Sequence, residues 1–309
     1  MISGKEMKHP CVQRTLTLLA VLTLLFLSCA NASAEDAVYI ENQWNYVDMA
    51  MDVSAGIPAE ALGRLAQIRD AGKLTVATEP YFPPQEFIDE SKTGQDRFVG
   101  ADMELARLIA ARMGVELEIV PLAFSDVLTS VQEGRYDLAV SALAFTQSRA
   151  AVLEMSKGYY YSSDEVASGM LIRRADVETL QTLADLEDRD IAAQSGSLQE
   201  TMAVDSALPC RQFRRLPSVA DVIAAVENGT VDAGIVDSDT AALYVSSNPD
   251  GALCFVPVSS FKLKDEYRGD RIAARKGEIQ LISFVNGVIN EVLEKDQYTE
   301  WLRQYTPDR

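Results

Sequence analysis

Two stretches of the chain, EGRYDLAVS at 133–141 and NGTVDAGIVD at 228–237, repeat one pattern. Each comes off an amphipathic segment with helical spacing (125–134 and 218–229) and stops it at a glycine. An aspartate follows (Asp137 or Asp232), and the chain runs on as an apolar stretch with strand character (137–144 and 232–237). A helix leading into a buried strand is the building unit of α/β folds with largely parallel sheets. Meeting that unit twice argues for two structurally similar lobes.

The same alternation fills the rest of the chain. The spacing predicts strands at 74–78, 115–122, 168–174, 190–195, 211–216, 254–258 and 270–275, and helices at 101–113, 197–204, 238–247, 278–295 and 297–305. Asp102 reads as the cap of the 101–113 helix and Gly114 as its end. Asp137 and Asp232, at matching places in the two units, read as structural. Pro58 opens a further helical segment at 58–71. Ahead of it, 35–57 carry Trp44 and Tyr46, expected to pack on the body as an N-terminal extension. A two-lobe α/β protein holds its ligand in the crevice at the carboxyl ends of the strands.

The N-terminus reads as an export signal. Lys5, Lys8 and Arg14 form a basic head, TLTLLAVLTLLFLS (15–28) is apolar, and Ala32-Ser33-Ala34 is a small-x-small exit. Cleavage is expected after Ala34, which makes the protein periplasmic or extracellular. Lipidation of Cys29, directly after the apolar run, is the alternative, disfavoured by the bulky Phe26-Leu27-Ser28 before it. The full chain carries −18; the leader holds three bases against Glu6, a net +2, which leaves −20. So acidic a chain is repelled by nucleic acid and by anionic membrane surfaces.

The one histidine, His9, leaves with the signal. That excludes Ser-His-Asp and Cys-His catalysis and a histidine-ligated metal from the mature chain, and no cofactor is expected. Cys210 and Cys254 remain. An oxidising compartment permits one disulfide between them, but sequence leaves the pairing open because it gives no distance.

Arg149 stands just after the apolar run LAVSALAF, at the carboxyl end of the 137–144 strand and the start of a helix. An arbitrary arginine there would be a solvated first-turn residue. The other lobe offers a reason to read it differently. Gln194-Ser195-Gly196-Ser197 joins a strand to a helix, with a glycine that permits close backbone approach and helix-start N–H groups that suit an anion. Asp237 ends the 232–237 strand, where a carboxylate accepts from an ammonium. An arginine fork and a helix N-terminus on one side, with an aspartate on the other, complement a zwitterion.

At this point the chain resembles the type 3 extracellular solute-binding proteins that feed polar amino acids to ABC importers. The segments that carry the resemblance are LTVATEPYFPPQEF (74–87), FVGADMELARLIAARMGVELEIV (98–120), FSDVLTSVQEGRYDLAVSALAFTQSR (124–149), MSKGYYYS (155–162), DIAAQSGSLQE (190–200), VENGTVDAGIVD (226–237) and RIAARKG (271–277). The resemblance implies the α/β, two-lobe, type II (Venus flytrap) fold with a hinge of two crossover strands. Those crossovers are expected near 170–174 and 270–274. They would divide the chain into 72–172 plus 270–309 as one lobe and 173–269 as the other, with 35–71 ahead of them as an N-terminal extension.

It also implies the site. Arg149 would take the ligand's α-carboxylate and Asp237 its α-ammonium. Phe82 and Phe124 would sandwich the side chain, with Glu79 near its end. Ala142 and Ala144 would contribute backbone contacts, and Gly196, Ser197 and Leu198 would close over the carboxylate. Ala144 and Leu198 stand where the family often has Ser or Thr, and the missing hydroxyl at 144 removes one acceptor for the ammonium. Tyr159, Tyr160 and Tyr161 are expected near the interlobe crossover, away from the ligand.

The expected partners are an amino-acid ligand and a membrane ABC permease, with the chain acting as a monomeric, non-enzymatic binder. Two alternatives share the fold. One is a periplasmic cyclohexadienyl (prephenate/arogenate) dehydratase-like enzyme, in which Glu79 or Glu86 would serve as general acid only if burial raised its pKa. The other is a ligand-sensing subunit without transport.

Overall fold

Residues 49–161, 168–258 and 268–306 are described by a computed structural model of the chain. The expected leader, Cys29, Trp44 and Tyr46 lie outside the described residues. The strands are β1 (Lys73–Thr78), β2 (Tyr81–Phe82), β3 (Glu86–Ile88), β4 (Phe98–Val99), β5 (Glu116–Pro121), β6 (Leu138–Ala144) and β7 (Leu153–Met155). They continue as β8 (Ser168–Arg173), β9 (Asp190–Gln194), β10 (Gln212–Leu216), β11 (Ala233–Asp237), β12 (Leu253–Pro257) and β13 (Asp270–Arg275).

One sheet is ordered β5-β1-β6-β13-β7 and another β10-β9-β11-β8-β12. In the first, β1 lies parallel between β5 and β6; in the second, β9 lies parallel between β10 and β11. The antiparallel member of each sheet is the strand that arrives from the other lobe, β13 in the first and β8 in the second. The two lobes therefore share one strand order. Their central strands, LAVSALA in β6 and AGIVD in β11, are nearly continuous buried runs, as expected for strands covered on both faces.

The paired aspartates do the same job in both lobes. Asp137 Oδ2 accepts from Thr75 N and Thr75 Oγ1, each at 2.6 Å, and the carboxylate also pairs with Arg64. Asp232 Oδ2 accepts from Asp190 N at 2.9 Å and pairs with Arg173 at 3.3 Å. Each one pins the start of the middle strand of its sheet to its parallel neighbour, β6 to β1 and β11 to β9. A helix-to-strand turn followed by a carboxylate is thus a register device used twice.

The lobe boundary expected at 172 falls inside β8, all of which pairs with β11 and β12 in the second sheet. The crossovers expected near 170–174 and 270–274 are instead whole strands of the two sheets. The chain leaves the first sheet after Met155 and enters the second at Ser168, and it leaves the second after Pro257 and re-enters the first at Asp270. The two passes meet in an isolated antiparallel bridge: Tyr159 N donates to Asp270 O at 2.9 Å, and Asp270 N to Tyr160 O at 2.8 Å.

The segment expected to be helical from Pro58 starts its helix only at Gly63 (Gly63–Ala71). Pro58 and Ala59 form a turn whose carbonyls accept from Arg69 Nη1. The helix buries Leu65 and Ile68 in the first lobe's core, alongside Leu74, Ile109 and Val285. It belongs to that lobe and not to an extension. Residues 49–57 likewise pack onto the helix Ile279–Glu294, where Met51 N donates to Ser283 O at 2.8 Å. Gly287 makes this approach feasible, since a Cβ there would meet Met51 O at 2.1 Å.

Cys210 and Cys254 are free thiols. Cys210 lies beside β10 and Cys254 on β12, at opposite edges of the second sheet, with three strands between. Four interstrand steps of about 4.8 Å put them roughly 19 Å apart, against the ~4.4–6.8 Å that a disulfide spans between Cα atoms.

The periodicity did not separate the three-stranded sheet β2-β3-β4 from its surroundings; its strands have two or three residues each. Gly100 (φ 117°) docks it on the body, because any Cβ would sit 2.2 Å from Gln85 O. In its place Ala101 N and Asp102 N donate to Pro84 O and Gln85 O at 3.1 and 2.9 Å. This joint hangs Phe82, Gln85 and Glu86 over the carboxyl ends of the first sheet.

Candidate ligand-binding site

A cavity of about 150 Å³ opens where the carboxyl ends of both sheets face each other. Of the ten residues expected to bind ligand, nine line it: Glu79, Phe82, Phe124, Ala142, Ala144 and Arg149 from the first lobe, and Ser197, Leu198 and Asp237 from the second. Gly196 does not line the wall, but its carbonyl accepts from Arg149 Nη2 at 2.9 Å. The residue is held at φ 78°, a conformation that favours glycine.

Arg149 is built into place by its own helix start. Thr146 Oγ1 caps the helix Gln147–Val152 by accepting from Arg149 N at 3.1 Å. Arg149 is only 8% exposed. Nη1 donates to Ala144 O at 2.7 Å, and the guanidinium carbon stands 5.5 Å from the centre of the Phe124 ring. Burial lowers its pKa, to about 10, and among the described residues no carboxylate pairs with it. A buried arginine is normally paired; this one faces a cavity with carbonyls and an aromatic face for company.

Asp237 closes β11 and also begins the helix Ser238–Ser247, its Oδ1 accepting from Asp239 N and Thr240 N at 2.8 and 3.2 Å. Its carboxylate is thereby oriented at the cavity wall by the helix it caps. Ser197 has the corresponding job on the helix Leu198–Asp205, its Oγ accepting from Glu200 N at 3.0 Å.

Asp102 is not a cap. It is fully buried, and it accepts from Ala142 N at 2.8 Å, Tyr298 OH at 2.6 Å and Tyr159 OH at 2.8 Å. Burial pushes its pKa up against those three donors. The cap position of that helix belongs to Gly100. The consequence reaches the site: Ala142 sits at φ 44° with its N–H committed to Asp102, and Ala144 O is committed to Arg149. Ala142 N and Ala144 O are thus tied into the scaffold around the cavity.

Glu79 is 5% exposed and accepts from Gln194 Nε2 of the second lobe at 2.6 Å, a direct bond across the cleft. Burial pushes its carboxyl up to about 7. Ser141 Oγ accepts from Glu79 N at 3.1 Å and donates to Glu86 Oε1 at 2.9 Å, so one hydroxyl joins the two acidic residues. Sequence reasoning missed Ser141, Gln194 and Asp270, all on the wall. Gln194 had been read only as part of a strand-to-helix link, and Asp270 as a strand start. Tyr160 also reaches the cavity, contrary to expectation, while Tyr159 is buried against Asp102 and Tyr161 is largely exposed.

Two similar lobes, joined by a double crossover and both contributing walls to one small cavity, define a protein that captures a small solute by closing around it. The chain belongs to the bacterial extracellular solute-binding proteins, family 3, whose model matches residues 74–308. It is 28% identical over 233 residues (75% of this chain, 84% of the relative) to a probable histidine-binding protein of Campylobacter jejuni. It is 28% identical over 222 residues (71% and 80%) to the arginine-binding extracellular protein ArtP of Bacillus subtilis. Among solved structures, the amino acid ABC transporter substrate-binding protein AbpA of Streptococcus pneumoniae, bound to L-arginine, superposes with a TM-score of 0.67 at 32% identity, covering 77% of this chain and 96% of that one. The ancestral amino acid-binding protein AncCDT-1, a precursor of cyclohexadienyl dehydratase, shares the fold at 24% identity and a TM-score of 0.66 over 79% of this chain.

Proposed function

We propose that the chain captures a free amino acid outside the cytoplasm and presents it to an ABC permease, binding without turnover. The observation that carries this reading is the buried guanidinium of Arg149 on the wall of a cavity whose opposite wall holds Asp237. A zwitterion answers both: its carboxylate lies on the arginine fork and its ammonium on the aspartate. Phe82 and Phe124 flank the side chain. The open state offers the ligand only the first-lobe contacts; closure adds Asp237 and the 196–198 loop, so the ligand favours the closed state. The relatives' names support the reading, since they bind histidine or arginine. In this reading the leader is cleaved near Ala34 and the mature chain acts as a monomer.

Isothermal titration of the protein, stripped of co-purified ligand, with the twenty amino acids tests it. At least one binds, and Arg149→Ala weakens that binding about a hundredfold or more; unchanged affinity in the variant counts against the assignment. A turnover assay with prephenate and arogenate separates binding from the dehydratase-like alternative, and product formation would overturn the non-enzymatic reading.

A further inference from the structure

A second buried cation shares the lobe of Arg149. Arg271, on β13, is 5% exposed, and among the described residues no carboxylate pairs with it. Its Nη1 donates to Ser156 O at 2.9 Å, its guanidinium carbon lies 5.1 Å from the centre of the Phe145 ring, and its Nε has no partner. Burial lowers its pKa, with Tyr161 pulling the other way. A charge held in such a place is often no better for stability than an apolar side chain of the same volume.

Its contacts converge on one turn. β6 ends at Ala144, and Phe145 and Thr146 carry the chain into the helix of Arg149. Ala144 O and Thr146 Oγ1 are the groups of that turn that hold Arg149, at 2.7 Å from Nη1 and 3.1 Å from its backbone N. Phe145 stands between them in the chain, 8% exposed, with Arg271 on its ring. Behind Arg271, Ser156 is fixed to β13 by two bonds: Ser156 N donates to Ile272 O at 2.8 Å, and Ile272 N to Ser156 Oγ at 2.9 Å. β13 also shifts register against β6 between Arg271 and Ala273, and a bulge of that kind re-aims a side chain.

Resting on the amino-acid reading above, we propose that Arg271 is a positioning residue for ligand binding: it props the 144–146 turn against the strand that re-enters the first lobe, and so holds the fork of Arg149 where the ligand's carboxylate is taken. Arg271 does not line the cavity and touches no ligand itself. Its face rests on the Phe145 ring, while its Nη1 anchors it to the point where the chain leaves the lobe. A methionine in its place fills a similar volume but brings no charge to the ring and no donor to Ser156 O. The turn would then relax, and with it Ala144 O and Thr146 Oγ1, the two groups that aim Arg149.

The test is calorimetric titration of the wild type, Arg271→Met, Arg149→Ala and the double variant. The probes are the twenty amino acids and the amine of the one bound most tightly: agmatine if that is arginine, histamine if it is histidine. Arg271→Met is expected to weaken the amino acid about tenfold and its amine by less than about threefold, because only the carboxylate is taken by Arg149. In the Arg149→Ala background the same substitution should change neither affinity by more than about twofold. Equal losses for amino acid and amine, or a further tenfold or so in the Arg149→Ala background, overturn the proposal, since a general weakening of the fold would do the same. Unchanged affinity in Arg271→Met overturns it too. Phe145→Leu keeps Arg271 and its bond to Ser156 but removes the ring, and should cut the preference for the carboxylate at least about threefold. Wild-type preference in Phe145→Leu overturns the proposal even if Arg271→Met fails to fold. All these results leave the amino-acid reading standing; failure of every amino acid to bind the wild type overturns both.

Discussion

Arg149 Nη2, from the first lobe, donates to the carbonyl of Gly196, from the second, at 2.9 Å. Together with the Gln194–Glu79 bond at 2.6 Å, it ties the lobes across the cleft. The residue that would hold the ligand's carboxylate is thus also one of the residues that hold the cleft shut. Ligand binding and closure draw on the same guanidinium.

Arginine geometry matters here as much as charge. Arg149→Lys keeps a cation but loses the planar fork that reaches Ala144 O and Gly196 O together. Titration of the variant with the amino acid that binds the wild type most tightly is expected to show an affinity loss of at least about tenfold, with Arg149→Ala losing about a hundredfold or more. Equal affinity in wild type and lysine variant would show that the fork is not used.

The raised carboxyl of Glu79 makes stability depend on pH in a defined direction. Folded, it keeps its proton up to about 7, whereas its ordinary value is 4.5. The folded state therefore binds more protons than the unfolded one across that window, and this group's contribution is present at low pH and lost as pH rises from about 4.5 through 7. Ligand-free Glu79→Gln should match wild type at pH 5 and gain on it by at most about 3 kcal/mol at pH 8. Urea unfolding of both proteins at the two pH values reads the difference; a constant difference would contradict the buried, neutral Glu79.

Gly100→Ala is expected to be among the more damaging small substitutions. The new methyl would stand 2.2 Å from Gln85 O in a backbone conformation that L residues rarely adopt. Relieving the clash has to move either the start of the helix Ala101–Met113 or the loop that carries Gln85 and Glu86. Destabilisation of about 2–4 kcal/mol, with weakened ligand binding, is the expected outcome in denaturant unfolding and titration. A change below about 0.5 kcal/mol would contradict this docking of the β2-β3-β4 sheet.

Cys210 and Cys254, at opposite sheet edges, should both react with a thiol reagent in the unfolded, leader-free chain without prior reduction. Reducing agent should leave the melting temperature unchanged. A single reactive equivalent, or none, would contradict the strand order.

The lobes were legible because the repeated helix–glycine–aspartate–strand unit is a local pattern whose period survives in sequence. Arg149 and Asp237 were legible because each stands at a strand's carboxyl end, where an α/β fold puts its ligand. Asp102 was misread because its place in a helix's first turn is what a cap looks like from sequence. Its true partners, Ala142, Tyr159 and Tyr298, are distant in the chain. The boundary at 172 failed for a related reason. β8 and β13 have the same apolar character wherever they pair, and only the sheet order shows that each joins the lobe it enters. Gln194, Ser141 and Asp270 gave no signal, since a polar residue closing a strand acquires meaning only from the wall opposite.

The most direct measurement compares, by calorimetry, the amino acid that binds most tightly with the amine left when its carboxylate is removed. Wild type should prefer the amino acid by at least about a hundredfold, and Arg149→Ala should bind the two within about threefold of each other. Equal affinity of the amino acid and its amine for the wild-type protein would contradict the account, because Arg149 would then hold no carboxylate.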